Sequence, residues 1–189
     1  MDKRKVILVT DGDSVAQNAV EIAASNIGGR CISASGGNPT YLTGGQIVDL
    51  ITTAHHDPVV VMVDDRGKKG KGKGEQAMDV ILQSDAVHVL GVVAVSSNGK
   101  DCNGLQVTCS ITKDGEIIDG AVDKYGNDIG EGDICGDTLS TLRGRKDLLI
   151  VGLGDPGKMD FQDEALKGAP ITTKALQEVL KRSGQKMNQ

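Results

Sequence analysis

The sequence predicts a single α/β domain: three layers built on a mostly parallel open sheet of the Rossmann or flavodoxin type. Three observations lead to this prediction. Short runs rich in Val and Ile alternate with segments whose apolar residues recur at helical spacing. The 189 residues suffice for one core, and we expect one domain over 1–184 with a frayed tail at 185–189. Only the stretch near 100–137 departs from the alternation, and it predicts a β-hairpin excursion from the sheet.

The first half of the chain contains three units of strand followed by helix. Its predicted strands are uncharged apart from their ends and rich in β-branched residues, and they cover 5–10, 30–35 and 58–63. The predicted helices share an apolar stripe at three- and four-residue spacing, and they cover 14–27, 43–54 and 74–84. Asp13 or Ser14 is expected to cap the first helix, which ends at Gly28.

The second half begins with a long predicted strand over 87–97. An Asp-Gly turn then separates two extended runs, 105–112 and 116–122, and a turn-rich loop follows to residue 137. Regular structure is expected to return as a short helix at 138–144, a buried strand at 147–154 and a helix at 171–184. Thr172 or Thr173 is expected near the start of that last helix.

The composition excludes several classes of protein. The formal net charge is −5, so the chain lacks the basic surface of a nucleic-acid binder. Its only aromatic residues are Tyr41, Tyr125 and Phe161, which argues against a surface for stacking bases. No apolar stretch approaches the roughly 20 residues of a transmembrane helix, and none resembles a signal peptide. We therefore expect a soluble protein that binds no nucleic acid, and that associates with a membrane through protein partners or surface charge rather than through a spanning segment.

The four cysteines, Cys31, Cys102, Cys109 and Cys135, lie far apart and form no CxxC pair. The spacing between these cysteines and the histidines does not match that of zinc ligands. This pattern predicts reduced thiols with structural roles in a reducing compartment.

Aspartates follow three of the predicted strands: Asp11 and Asp13 the first, Asp64 and Asp65 the third, and Asp155 the last. Because the carboxyl ends of parallel strands meet at one edge of a sheet, these side chains are candidates for binding a ligand or a metal. Carboxylate oxygens suit Ca²⁺ or Mg²⁺, and we expect no other cofactor. The alternative is that these aspartates only form turns and helix caps.

A basic, glycine-rich loop follows the second aspartate pair. Its cations are candidates for contact with an anion or a partner, and they are Arg66, Lys68, Lys69, Lys71 and Lys73. The loop matches no phosphate-loop spacing, so we expect a flexible, solvated segment. A second glycine pattern, GLGDPG at 152–157, has the spacing of a dinucleotide loop but no helix directly behind it.

Several segments in colinear order resemble the stage V sporulation protein AE family of spore-forming Firmicutes, in its soluble rather than its membrane-embedded form. They are KVILVTDGD (5–13), NIGGRCIS (26–33), DDRG (64–67), GEQAM (74–78), LGVVAVSSN (90–98), VDKYGN (122–127), GDTLSTL (136–142) and VGLGDPGKMDFQDEALKGAPITTKALQEVL (151–180). The resemblance spans most of the chain and is more specific than any one motif.

The resemblance implies a non-enzymatic accessory subunit of a complex at the spore inner membrane. That complex moves dipicolinic acid, largely as its calcium chelate, into the developing spore and out on germination. The subunit is expected to be made in the forespore and to lie at the periphery of the membrane, bound to membrane and soluble subunits. No catalytic residues come with the resemblance.

Two alternatives remain open from the residues themselves. One is a metal-dependent phosphotransfer or phosphohydrolase enzyme that uses Asp11, Asp13, Asp64 and Asp65. The other is a binding module for an anionic small molecule, since Asp and Lys side by side suit calcium dipicolinate.

Overall fold

The structure, a computed structural model, describes residues 2–68, 70–98 and 102–185. Its strands are β1 (Arg4–Val9), β2 (Arg30–Cys31), β3 (Val59–Met62), β4 (Val87–Val95), β5 (Cys109–Ile111), β6 (Ile117–Ile118) and β7 (Ile150–Leu153). Its helices are α1 (Ser14–Asn26), α2 (Gly44–Thr53), α3 (Lys73–Gln83) and α4 (Pro170–Arg182). Single turns of 3-10 helix lie at Ser33–Ser35, Ser140–Leu142 and Ala165–Lys167.

Within the described residues, seven strands form one sheet in the order β2-β3-β1-β4-β7-β5-β6. Neighbouring strands are parallel except β5 and β6, which form an antiparallel hairpin. The predicted fold class is confirmed: a single α/β domain with a mostly parallel open sheet and a hairpin in the excursion. The carboxyl ends of β1, β3, β4 and β7 therefore lie at the same edge.

Helices cover both faces of the sheet. Successive side chains of a strand point to opposite faces, so Ile7 and Leu8 of β1 belong to different layers. Ile7 lies in the layer that contains α1 and α4, and it shares that layer with Leu176. Leu8 lies in the layer that contains α2 and α3, together with Ile47 and Met78. The two layers give the predicted three-layer arrangement.

The buried core is aliphatic, as the composition predicts. All three aromatic side chains lie at the surface: Tyr41 is 73% exposed, Phe161 72% and Tyr125 47%. Val, Ile, Leu, Met and Ala fill the interior instead.

β2 is shorter than the predicted strand over 30–35. After Cys31 the chain enters the 3-10 turn at Ser33–Ser35. The Ser35 hydroxyl then donates to the Ile32 carbonyl at 2.6 Å and accepts the N–H of Met62 at 2.9 Å. A side-chain hydroxyl thus replaces the backbone carbonyl that a longer strand would offer to β3.

α4 begins at Pro170, and its N terminus is capped from a distance. Thr172 and Thr173 lie in its first turn, near the start of the helix as expected, but the residue before the helix, Ala169, has φ 46° and makes no side-chain cap bond. The buried carboxylate of Asp163 instead accepts the N–H groups of Ile171 at 2.8 Å and Thr172 at 2.9 Å.

The expectation of four reduced thiols is wrong for two of them, because Cys102 and Cys135 form a disulfide. The backbone beside this disulfide is also paired, since Leu105 and Ile134 exchange N–H to carbonyl bonds of 2.9 Å. Cys31 and Cys109 are free thiols, and burial raises the pKa of both, that of Cys31 to about 12.

No helix in the described ranges is long and apolar enough to cross a bilayer; α1 and α4 each have 13 residues. The predicted frayed tail lies outside those ranges beyond Gln185.

Candidate functional site

The structure brings the five candidate aspartates to one edge of the sheet. Asp11 and Asp13 follow β1, Asp64 and Asp65 follow β3, and Asp155 follows β7. β1 is flanked by β3 and β4, and β7 is the next strand after β4. We call these five carboxylates the acidic edge.

Asp11 titrates near neutral pH. Its Oδ1 accepts the backbone N–H of Gly12 at 2.7 Å and that of Asp13 at 3.2 Å. Burial raises the pKa of Asp11 to about 7, and the carboxylates of Asp13 and Asp64 raise it further against those two hydrogen bonds. A substantial fraction of Asp11 is therefore protonated at pH 7.

Asp64 is only 5% exposed and is held by its backbone and its side chain. Its N–H donates to the Thr40 hydroxyl at 2.8 Å, and its Oδ1 accepts the N–H of Arg66 at 2.9 Å. Burial raises the pKa of Asp64 to about 6; the Arg66 hydrogen bond opposes this, and the carboxylate of Asp137 adds to it. Asp137 belongs to the excursion, so the excursion reaches the acidic edge.

Lys158 neutralises the side of the acidic edge nearest β7. Its Nζ lies 3.1 Å from Asp13 Oδ2 and 3.7 Å from Asp155 Oδ2. Burial opposes ionisation of Asp13, but hydrogen bonds from the Ala16 N–H and from Lys158 outweigh it and lower the pKa of Asp13. Burial raises the pKa of Asp155, although Lys158 acts in the opposite sense. One ammonium group thus joins the loops that follow β1 and β7.

Asp65 caps α3. Its Oδ1 accepts the N–H of Gly74 at 2.6 Å and that of Glu75 at 3.3 Å. Gly72 makes room for this contact, because a Cβ at Gly72 would lie 2.3 Å from Asp65 Oδ1. The N terminus of a helix behind a basic glycine-rich loop is where a phosphate would bind. In this protein the Asp65 carboxylate occupies that position.

The basic loop before α3 is exposed where it is described, at Arg66, Lys68, Lys71 and Lys73; Lys69 lies outside the described residues. Lys71 forms an ion pair with Asp79 of α3, and Lys73 is the first residue of that helix. Contact of these cations with an anion or a partner stays a prediction.

Each helix N terminus in the described part of the chain is filled by the chain's own side chains. The capping groups are Asp13 on α1, Thr43 with Gln46 on α2, Asp65 on α3 and Asp163 on α4. Open helix N termini are common phosphate sites. Their occupation weighs against a phosphate-binding role for this edge.

The acidic edge shows no ready-made metal centre. Among the residues of known placement, no group of three or more His, Cys, Asp or Glu side chains is arranged to hold a metal ion. Asp13 and Asp65 direct oxygens to helix caps, and Lys158 lies beside Asp13. Binding of Ca²⁺ or Mg²⁺ at the acidic edge stays a prediction.

The glycine pattern at 152–157 serves packing within the chain. After β7 the chain runs through a long loop before α4 begins at Pro170. A Cβ at Gly152 would lie 2.2 Å from Ile134 Cδ1, and one at Gly154 would lie 2.7 Å from the Gly126 nitrogen. These glycines therefore permit the excursion to approach β7 closely.

Three residues that shape this edge escaped the sequence reasoning: Asp137, Lys158 and Asp163. Lys158 follows Asp155 by three residues in a strand-exit loop, and that spacing was an available signal. Asp137 and Asp163 both lie in irregular segments. Asp137 accepts the N–H of Gly67, which is far from it in the chain, and Asp163 caps α4 from outside the usual cap position.

A family model described as Stage V sporulation protein AE1 matches residues 5–183. No curated protein and no solved structure matches the chain. The matched range contains the acidic edge, Lys158, both disulfide cysteines and nearly all of the sheet and helices. The chain therefore belongs to the stage V sporulation protein AE family.

Proposed function

We propose that this chain is a non-enzymatic accessory subunit of a spore inner-membrane complex that moves dipicolinic acid, largely as its calcium chelate, during sporulation and germination. The family match over residues 5–183 carries the proposal, because it covers the fold almost entirely and implies a role in sporulation.

The geometry of the acidic edge supports a role without catalysis. A general acid, a general base or a metal ligand needs an oxygen that is free to meet the substrate or ion. Asp13 and Asp65 direct oxygens to backbone N–H groups of the helices that follow them. The phosphotransfer alternative, which needs both, has correspondingly less support.

Charge supports attachment through protein rather than lipid. The net charge of −5 is a poor match to an anionic membrane surface. The chain is therefore held at the periphery of the inner membrane by other subunits of the complex, and it is made in the forespore, as the family resemblance implies.

Co-purification tests the proposal. The tagged full-length chain is isolated from sporulating cells in a mild detergent, and the recovered proteins are identified by mass spectrometry. We expect the transmembrane subunits of the complex to be recovered, and spores of a deletion strain to contain less dipicolinic acid unless the gene is restored. Recovery of none of those subunits after cross-linking, together with normal dipicolinic acid in the deletion strain, would reject the proposal.

One observation favours a second function, the binding of an anionic small molecule. Asp11 has a pKa of about 7, so near neutral pH its protonated form can donate a hydrogen bond to a ligand carboxylate. Lys158 adds a positive charge at the same edge. Calorimetry with calcium dipicolinate should then show binding that Lys158→Met weakens, whereas calcium alone gives no comparable heat. Absence of heat at millimolar concentration would exclude this function.

A further inference from the structure

A cleft of about 480 Å³ opens beside Asp155 and Lys158, and two of the chain's three aromatic residues line it. Tyr125 comes from the loop after β6 and Phe161 from the loop after β7. The exposed fraction is 72% for Phe161 and 47% for Tyr125. Large apolar groups are thus presented to solvent around a concavity, while the core contains no aromatic ring.

The backbone that presents Phe161 has an unfavourable conformation. Met159, Asp160 and Phe161 have φ of 51°, 53° and 65°, in the left-handed region that residues other than glycine rarely adopt. Met159 is 1% exposed and anchors the segment in the core, and the Lys167 ammonium donates to the Phe161 carbonyl. The fold therefore imposes the exposure of Phe161, at a local cost that is typical of functional segments.

The carboxylates that line the cleft already have partners. The pairs are Asp155 with Lys158 at 3.7 Å, Asp160 with Lys113 at 2.7 Å and Glu164 with Lys167 at 3.2 Å. Among the described residues, Lys124 has no carboxylate within ion-pair distance, and its ammonium lies 4.8 Å from the Tyr125 ring centroid. The cleft thus offers two aromatic rings and one cation, Lys124, that lies outside the ion pairs of the described residues although its charge also acts on Asp155.

We propose that this cleft docks a segment of a protein partner in which an apolar side chain lies next to a carboxylate. The apolar side chain covers Phe161 and Tyr125, and the carboxylate pairs with Lys124. Aromatic residues at a pocket are the usual centre of binding energy in protein interfaces, and the volume lies within the range of sites that enclose a ligand-sized group. A concave site suits an inserted side chain better than the flat surface of a bilayer.

The inference rests on the proposed function and adds the docking face to it.

The probe is the set of membrane subunits of the complex, purified from sporulating cells that lack this chain and reconstituted in nanodiscs. Affinity is measured for the full chain and three variants. Phe161→Ala and Lys124→Glu should each weaken binding about tenfold or more, as expected for residues at the centre of an interface. Tyr41→Ala is the matched control, because Tyr41 is 73% exposed but lies outside the cleft, and it should bind normally.

A measurement without mutation separates docking from misfolding. Phe161 is the only Phe of the chain, so fluorophenylalanine places a single ¹⁹F label in the cleft; fluorotyrosine labels only Tyr41 and Tyr125. On addition of the nanodiscs, the Phe161 and Tyr125 signals should shift or broaden more than that of Tyr41.

Any other outcome refutes the assignment of the cleft as the docking site for the partner. Normal binding by both cleft variants places the contact elsewhere and leaves the proposed function intact. Signal changes with bare vesicles of three parts phosphatidylcholine to one part phosphatidylglycerol assign the cleft to the membrane. Changes that depend only on the chain's own concentration assign it to a second copy. A chain that does not bind the subunits at all refutes the proposed function as well.

Discussion

Asp11→Asn should make the protein more stable at alkaline pH. The pKa of Asp11 is about 7 in the folded protein, against an ordinary value of 3.8. The folded state therefore holds a proton that the unfolded chain has lost between these two pH values, so stability falls as pH rises through this window. At about 1.4 kcal/mol per pH unit, the full loss is about 4 kcal/mol, present above pH 7 and absent below pH 4.

Asparagine does not ionise, and its Oδ1 still accepts the N–H groups of Gly12 and Asp13. We expect the variant to equal the wild type near pH 4 and to exceed it by up to about 4 kcal/mol at pH 8. The assay is urea unfolding followed by far-UV circular dichroism at several pH values. Asp85→Asn, at a fully exposed side chain, is the control and should follow the wild type. A difference between Asp11→Asn and wild type that stays constant with pH would refute the electrostatic argument.

Three further perturbations test the caps and the disulfide by the same unfolding assay. Gly72→Ala should lower the free energy of unfolding by about 1–3 kcal/mol, because the new Cβ displaces the Asp65 carboxylate that caps α3. Gly45→Ala is the control: its Cβ meets open space and should stabilise α2 by about 0.5–1 kcal/mol. Equal effects of the two substitutions would contradict the role of Asp65 as the cap. Asp163→Asn should lower stability by about 3 kcal/mol, because the amide cannot accept all four hydrogen bonds of the buried carboxylate, and an unchanged midpoint would disprove this. Replacing Cys102 and Cys135 together by Ser should lower the free energy of unfolding by about 3–4 kcal/mol for a sequence separation of 33. If reductant lowers the stability of the double variant as much as that of the wild type, the disulfide is excluded as the cause of the loss.

The local sequence pattern was enough to predict the strands that helices cover on both faces of the sheet. β1, β3, β4 and β7 read as short β-branched runs because helices cover them on each side. The length of β2 was not predictable, since Ser35 ends the strand through a bond to Met62, 27 residues away. The order of strands also depends on pairing across the chain, which no local pattern contains.

The same distinction applies to the acidic edge. Its five aspartates were predictable because each directly follows a strand, and parallel strands share an edge. Asp137 was not, because only the folded excursion brings it beside Asp64. The disulfide between Cys102 and Cys135 was equally hidden, as two isolated cysteines with no spacing signal.

The position of β7 has a consequence for the order in which the sheet is completed during synthesis. β7 lies between β4 and β5, although β5 and β6 precede it in the chain. Until residues 150–153 emerge, the hairpin has no strand to join and one edge of β4 stays unpaired, which is a known hazard for association between chains. The last strand to be made therefore connects the two parts of the sheet, and a chain that ends before it would retain an open edge and a detached hairpin.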